Sequence, residues 1–323
     1  MKITLKDVAE AAGVSRSAVS RAFTEGAPVS PEMKQRVLEA AEALGYTPNA
    51  LASSLTTGRT RLVGLLVDDF AAPGMAALLD EVSTAVQNKG LHPLLINLAG
   101  IDSIGEARRF LDAYAVDGAI VVSRRRSVEF AEALQTATRP VVHCLAEPTA
   151  DPKVHTAMVD YIRCGRMSAR NLIDAGHRVL GFIGQGKDDP MTERTLEGFS
   201  QVCNRRGAEL KVWHADGPTA QDGYEEMMVS LKSDRCEGYF VVGTELAAGA
   251  EMACADQGLD LESELTLIGL STSTADEIDG DRVVMPSPQI ARFTTNMLER
   301  AIEEPGLAPQ QKAFGGRMIR RAG

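Results

Sequence analysis

No stretch of eighteen or more apolar residues occurs in this 323-residue chain, which argues against a transmembrane helix. Nor does it open like a secretory leader: charge begins at Lys2 and continues at Lys6 and Asp7. Aromatic residues make up only 5% of the chain, and cysteine occurs five times, at Cys144, Cys164, Cys203, Cys236 and Cys254. An odd number at wide spacing, with no CxxC pair, argues against a disulfide framework or a zinc site and fits a reducing cytoplasm. The five histidines (His92, His143, His155, His177 and His214) form no HExxH and no triad-like spacing. A phosphate-loop pattern fails at its last position. Gly181, Gly186 and Lys187 have the right spacing, but Asp188 stands where Ser or Thr would hold magnesium, and an acid there repels phosphate. These absences point to a protein without cofactor or metal, and to binding rather than catalysis.

Positive charge is scarce as well, with a net charge of −10, but the deficit is uneven. Residues 1–60 carry seven basic and six acidic side chains, a net +1, which leaves −11 for the remainder. Any anionic partner of the first sixty residues is therefore met by placed side chains, not by bulk charge.

Those sixty residues are rich in helix boundaries. Thr4 to Asp7 has the spacing of a capping box, with Val8, Ala11 and Ala12 as the apolar positions behind it and Gly13 as the stop. Ser15 is the expected N-cap of a second helix. At 100° per residue, Arg16, Ser17, Ser20 and Arg21 fall on one face of it, and Ala18, Val19, Ala22 and Phe23 on the other. Two arginines and two hydroxyls on a slender helix suit a major groove, where arginine grips guanine and serine reaches bases or phosphates. An ordinary amphipathic surface helix would share this pattern. The tight Gly-Val-Ser connection to the preceding helix shifts the balance to a helix-turn-helix. Ser30 and Pro31 open a third helix with Val37, Leu38, Ala41 and Leu44 as its stripe, closed by Gly45. Thr47 and Pro48 open a short segment to Leu55 that has no core of its own, so its helicity is conditional on cover.

With these residues in place, the chain resembles the LacI/GalR family of bacterial transcription regulators. The matching stretches are Thr4 to Ala9, Ala12 to Ser15, Val19 to Arg21, Val29-Ser30 and Leu44 to Asn49. The resemblance implies that Ser15 to Phe23 is the recognition helix, with Arg16 and Ser17 setting specificity and Arg21 contacting a base. Thr4, Ser15, Ser20 and Asn49 join the implied DNA contacts. Pro48 to Leu55 becomes a hinge helix whose Leu55 wedges into the minor groove, where an apolar wedge kinks a duplex. The family often has Ala-Arg-x-Leu here, whereas this chain has Ala52-Ser53-Ser54-Leu55. The loss of that arginine either weakens phosphate anchoring or is made good by Arg59 and Arg61.

Beyond residue 61 the periodicity alternates. Leu62–Val67, Pro93–Leu98, Gly118–Val122 and Val141–Cys144 read as buried strands. Ala76–Lys89, Glu106–Tyr114 and Val128–Thr136 read as the helices between them. The pattern restarts with strands at Val179–Ile183, Leu210–Trp213, Tyr239–Val242 and Leu265–Ile268. Its helices are Met167–Ala175, Glu193–Arg206, Gly223–Lys232 and Ala247–Gln257. Alternation of this kind means parallel sheets, and two runs mean two lobes. The predicted fold class is an all-α helix-turn-helix headpiece followed by an α/β core of two doubly wound parallel-sheet lobes. The resemblance makes that core periplasmic-binding-protein-like, with a late helix Pro288–Glu303 crossing back to the first lobe. The expected division is a headpiece over 1–46, a hinge over 47–60 and a core over 61–323. The first lobe is 61–158 plus 288–313, and the second 159–287 plus 314–323.

The resemblance also implies a ligand cleft between the lobes. Asp160 and Arg194 match family positions there, and arginine's planar fork suits hydroxyls, carboxylates or phosphates. A structural salt bridge is the competing role for Arg194. Phe70, Thr244 and Ser271 complete the expected effector set. The chain departs from sugar-sensing members at Gly269-Leu270-Ser271-Thr272, which lacks the sugar-gripping aspartate, at Thr244-Glu245, and at Ala72-Pro73-Gly74-Met75, which lacks the aromatics. The resemblance therefore implies a cytoplasmic homodimer that represses from palindromic operator DNA under control of a small-molecule effector: a sugar, a sugar derivative or another metabolite. No heptad-bearing extension follows the core, which favours a dimer. A clamshell small-molecule binding protein with no regulatory role is the alternative reading.

Overall fold

A computed structural model describes residues 3–23, 27–47, 58–70, 72, 74–101, 103–186, 188–261, 263–271 and 280–320. Two compact units result, Met1–Arg61 and Leu62–Gly323. The expected hinge helix from Pro48 to Leu55 lies outside the described residues, as does Lys187.

The first unit holds three helices, α1 (Leu5–Ala12), α2 (Arg16–Ala22) and α3 (Pro31–Leu44). Their boundaries follow from side-chain chemistry. The Asp7 carboxylate accepts from both the Thr4 amide and the Thr4 hydroxyl at 2.7 Å. These bonds hold the Asp7 carboxyl below its usual pKa. Gly13, at φ +65, ends α1 in the left-handed region. Ser15 Oγ accepts from the Ala18 amide at 3.2 Å, and Ser30 Oγ from the Met33 amide at 3.2 Å. Val8, Ala9, Ala12, Val19, Ala22, Val37 and Ala41 form the core. A core of this size rarely supplies more than about 3–5 kcal/mol, so caps at about 1 kcal/mol each are a large share of the unit's stability. Two expected core positions differ. Ala11 is exposed and Ala9 is buried in its place, because α2 and α3 both lie on the Val8–Ala9–Ala12 side of α1. Leu38 is 38% exposed, on the far flank of α3.

The second unit is built from two six-stranded sheets. The first contains β1 (Leu62–Val67), β2 (His92–Asn97), β3 (Gly118–Val122), β4 (Val141–Cys144), β5 (His155–Val159) and β11 (Gln311–Phe314). Its order is β11-β5-β4-β3-β1-β2, and every pair is parallel. The helices α4 (Met75–Gln87), α5 (Ile104–Ala113) and α6 (Val128–Leu134) connect these strands. The second sheet contains β6 (Val179–Gln185), β7 (Glu209–Ala215), β8 (Gly238–Val242), β9 (Thr266–Ser271), β10 (Asp281–Val284) and β12 (Arg317–Ile319). Its order is β12-β10-β9-β8-β6-β7, the same winding, except that β12 runs antiparallel to β10. Its helices are α7 (Tyr161–Asp174), α8 (Pro190–Arg206), α9 (Ala220–Ser233) and α10 (Thr244–Asp256). The late helix α11 (Ser287–Glu303) returns to the first lobe, where Ile290, Ala291 and Leu298 join the core of β1 and α4. The chain therefore passes between lobes after β5, after β10 and after β11.

The strands read as apolar runs because both faces are covered. Along β1, Val63, Leu65 and Val67 pack towards α4 and α11, while Leu66 packs towards α5. In the second lobe Phe182, Phe199 and Phe240 cluster with ring centroids 5.6–5.9 Å apart. All five cysteines are free and buried, and burial pushes the Cys144 thiol up to about 12. The sequence pattern does not predict β5, β10, β11 or β12. Each is short, and polar residues such as His155, Thr156, Asp281, Gln311 and Arg317 interrupt the apolar run.

Two helix pairs clasp the second sheet through reciprocal glycines. A Cβ on Gly165 of α7 would collide with the Thr195 carbonyl of α8, and one on Gly198 of α8 with the Ile162 carbonyl of α7. Gly223 and Gly249 repeat the device between α9 and α10. Backbone cannot retreat as a side-chain tip can. Gly198→Ala should therefore cost at least the usual overpacking loss of about 1–3 kcal/mol, read as a lower urea midpoint. Gly100→Ala, which meets open space, is the control and should stay within about 0.5 kcal/mol. Equal midpoints for the two variants would contradict the close-approach account.

Candidate nucleic-acid interface and ligand cleft

Within the first unit, α2 presents the polar face its sequence predicts. Arg16, Ser17 and Arg21 are exposed and Ser20 is half-buried, while Ala18, Val19 and Ala22 are buried. Ser15 and Ser17 hydroxyls lie 2.9 Å apart. Arg21 Nε donates to the Ser17 carbonyl at 3.4 Å, so its guanidinium is laid back along the helix. Thr4 and Ser15 are engaged in capping, with Thr4 donating its hydroxyl to Asp7. Asn49 and Leu55 lie outside the described residues.

In the second unit, sheet order reverses between β1 and β3 and again between β6 and β8. Crevices beyond the carboxyl ends of strands at such switch points are where open α/β sheets bind ligands. An open cavity lies there, lined by Asp68, Asp69, Arg124 and Arg125 of the first lobe and by Gln185 and Asp189 of the second. Met75 forms part of its apolar wall and continues into a smaller, greasier recess with Leu78, Met285 and Ile290. Arg124 borders both.

Three consecutive arginines after β3 take three different jobs. Arg124 turns into the cleft beside Tyr161 and approaches Met191 Sδ at 3.3 Å. Burial disfavours its charge, but Tyr161, Asp189 and Asp69 outweigh that and hold the guanidinium above its usual pKa. The Tyr161 phenol is raised by burial against the opposing pull of Arg124. Arg125 faces Asp69 at 3.6 Å. Arg126 reaches the Leu98 and Ile101 carbonyls and covers the Phe130 ring. Ser123 Oγ fixes the turn, donating to Asp68 at 2.6 Å and accepting from the Arg125 and Arg126 amides. The result is a mixed surface of donors and acceptors against an apolar floor, suited to a small polar molecule with a hydrophobic face.

None of the five expected effector residues lines this cavity. Phe70 follows β1 and is 39% exposed. Thr244 opens α10 at the second switch point, and Ser271 is buried at the end of β9. Asp160 caps α7, accepting from the Arg163 amide at 2.8 Å. Arg194 projects from α8 to Glu147 at 3.1 Å and Glu197 at 3.4 Å, and does not line the cavity. Its place along the helix sets this: Asp189 and Pro190 at the helix start line the cavity, and Arg194 lies about one turn further on. Arg124, Asp69 and Asp189 were missed by motif reasoning. The available signal was an arginine run directly after an apolar strand. Two other motifs resolve into packing. Gly181 lies in β6, where a Cβ would collide with the Tyr239 ring, and His177 bonds Thr266 Oγ1 at 2.8 Å.

Residues 4–49 match the family of bacterial regulatory proteins of the lacI type, and residues 169–322 match a periplasmic binding protein-like domain. The chain is 28% identical over 324 residues to catabolite control protein A of Priestia megaterium, spanning 93% of this chain and 92% of that protein. It is 26% identical over 333 residues to the HTH-type transcriptional regulator AscG of Escherichia coli, spanning 98% and 97%. It is 26% identical over 271 residues to the HTH-type transcriptional repressor PurR of Mannheimia succiniciproducens, spanning 82% and 81%. The chain is a transcriptional regulator of the LacI family. Its fold is that of a lac repressor dimer solved with operator and the anti-inducer ONPF, at TM-score 0.83 and 18% identity over 99% of this chain and 98% of that one. The regulator CelR in complex with cellobiose has the same fold, at TM-score 0.69 and 24% identity over the whole of both chains.

In this regulator the cleft charges test the geometry directly. Arg124→Met removes the buried cation of the cleft from beside Tyr161 and Met191 and should cost about 1–3 kcal/mol by urea unfolding. Arg125→Met removes an exposed pair and should cost about 1 kcal/mol or less. Equal losses would contradict the inward placement of Arg124.

Proposed function

We propose that this regulator is a cytoplasmic homodimer that binds palindromic operator DNA and represses transcription. A small-molecule effector in the inter-lobe cleft changes the lobe angle and with it operator affinity. One observation carries the reading: a fully capped three-helix head turns Arg16, Ser17, Ser20 and Arg21 outward on a single short helix. Arg16, Ser17 and Arg21 read base edges, Ser20 reaches a base or phosphate, and Thr4 and Ser15 lie beside the backbone. Asn49 and Leu55 take the minor-groove end, with Leu55 as the wedge. Symmetric dimers suit half-sites one duplex turn apart. The repressor sense is supported by the name of the PurR relative. A cleft effector is supported by the CelR complex with cellobiose and by the lac repressor complex with ONPF.

The effector, a sugar, a sugar derivative or another metabolite, contacts Arg124 and the acids around it. Phe70, Thr244 and Ser271 border it from the strand ends, and Asp160 and Arg194 act at its margin. A binding protein without a regulatory role would share the cleft but would not retard DNA. The discriminating experiment is a gel shift on DNA upstream of the chain's own gene. The intact chain should give a specific shift. Arg21→Ala should weaken it roughly tenfold or more, since a bidentate base contact discriminates by about 1–3 kcal/mol, with the far-ultraviolet spectrum unchanged. Unchanged specific affinity would remove Arg21 from the readout, and no specific shift from any adjoining intergenic DNA would overturn the regulatory reading.

A further inference from the structure

The start of α8 is gripped by the opposite lobe at two points one helical turn apart. Arg124 of the first lobe meets Met191. Glu147, in the first-lobe loop after β4, meets Arg194 Nη2 at 3.1 Å. Positions 191 and 194 are three residues apart and share a helix face. Arg194 has a second partner, Glu197, on its own helix at 3.4 Å from Nη1. The two carboxylates thus differ in kind. Lobe separation breaks the bond to Glu147 and leaves the one to Glu197 intact. Both partners are about half exposed, at 48% for Arg194 and 45% for Glu147, so water and salt compete with the pair.

We propose that Arg194 is a two-partner latch that holds the lobes together through Glu147 and stays on Glu197 when they part. The second partner matters energetically. An arginine with no second partner would resist opening by the full loss of its ion pair. With Glu197 in place the guanidinium keeps one carboxylate when the other is withdrawn, so it is never left unpaired, and the bias is that of one exposed pair, small enough for a ligand to override. The latch concerns lobe angle alone, so it stands or falls separately from the operator and effector readings.

The test is a distance distribution between nitroxides at Arg109→Cys in the first lobe and Arg205→Cys in the second, both exposed. The five native thiols are buried and remain unlabelled. Labelled chain is diluted into unlabelled chain so that only distances within one chain are read. Glu147→Gln should raise the open-to-closed ratio roughly two- to fivefold, the range of an exposed ion pair. The charge swap Glu147→Arg with Arg194→Glu should restore closure. Glu197→Gln should leave the closed fraction equal or larger. Raising salt should move the wild type towards Glu147→Gln. A distribution unchanged by Glu147→Gln would overturn the latch. Opening by Glu197→Gln to the same extent would overturn its two-partner form, since that carboxylate lies wholly within one lobe.

Discussion

Parallel pairing of strands that are apolar on both faces is the constraint on which the core depends. A strand such as β3, buried along its whole length, must be covered above and below. Parallel neighbours also require a long crossover between them. Helices meet both demands at once. The consequence is a row of strand ends with no partner at the reversal of strand order. There Asp68, Arg124 and Gln185 emerge within reach of one ligand. The cleft is thus a by-product of how the sheets are wound, and its chemistry is set by whichever residues follow β1, β3 and β6.

The three passages between lobes add a second constraint. Asp160 caps α7 while its amide donates to the Phe314 carbonyl at 3.0 Å, which ties two of the passages together. Gly316 has no space for a side chain beside Val283 and Cys164. Few residues can serve at such a junction, whereas those facing the cavity are free to vary. This accounts for a chain that keeps the architecture of its relatives at 26–28% identity.

How much was legible in the sequence follows from the range of the forces involved. Local rules read well. Ser15 and Ser30 mark helix starts by accepting from amides three residues on, Pro31 does so through its fixed φ, and α2 and α3 begin where those residues stand. The strands β1, β3, β4 and β8 were legible because double burial leaves continuous apolar runs. The edges were not, since β5 and β11 pair through polar residues whose partners are about 155 positions apart. The site failed in the same way. Family pattern pointed to Arg194, but it stands a turn further along α8 than the cavity wall and pairs with Glu147. Arg124, an unremarkable member of a charge run, becomes the cleft cation because its strand ends at the switch point. Spacing identifies a residue's neighbours along the chain, and only the winding identifies its neighbours across the gap.

The acidic core and nearly neutral head bear on the central claim. A head with a net charge near +1 cannot hold DNA by counterion release alone to the extent that a strongly basic domain can. Its affinity must come from matched contacts on α2, doubled by symmetry. Selection from random-sequence duplex DNA with the full chain at physiological salt tests this most directly. The account predicts enrichment of one inverted-repeat motif whose half-site centres are about one duplex turn apart. Enrichment of no motif, or of a single asymmetric half-site at full affinity, would contradict it.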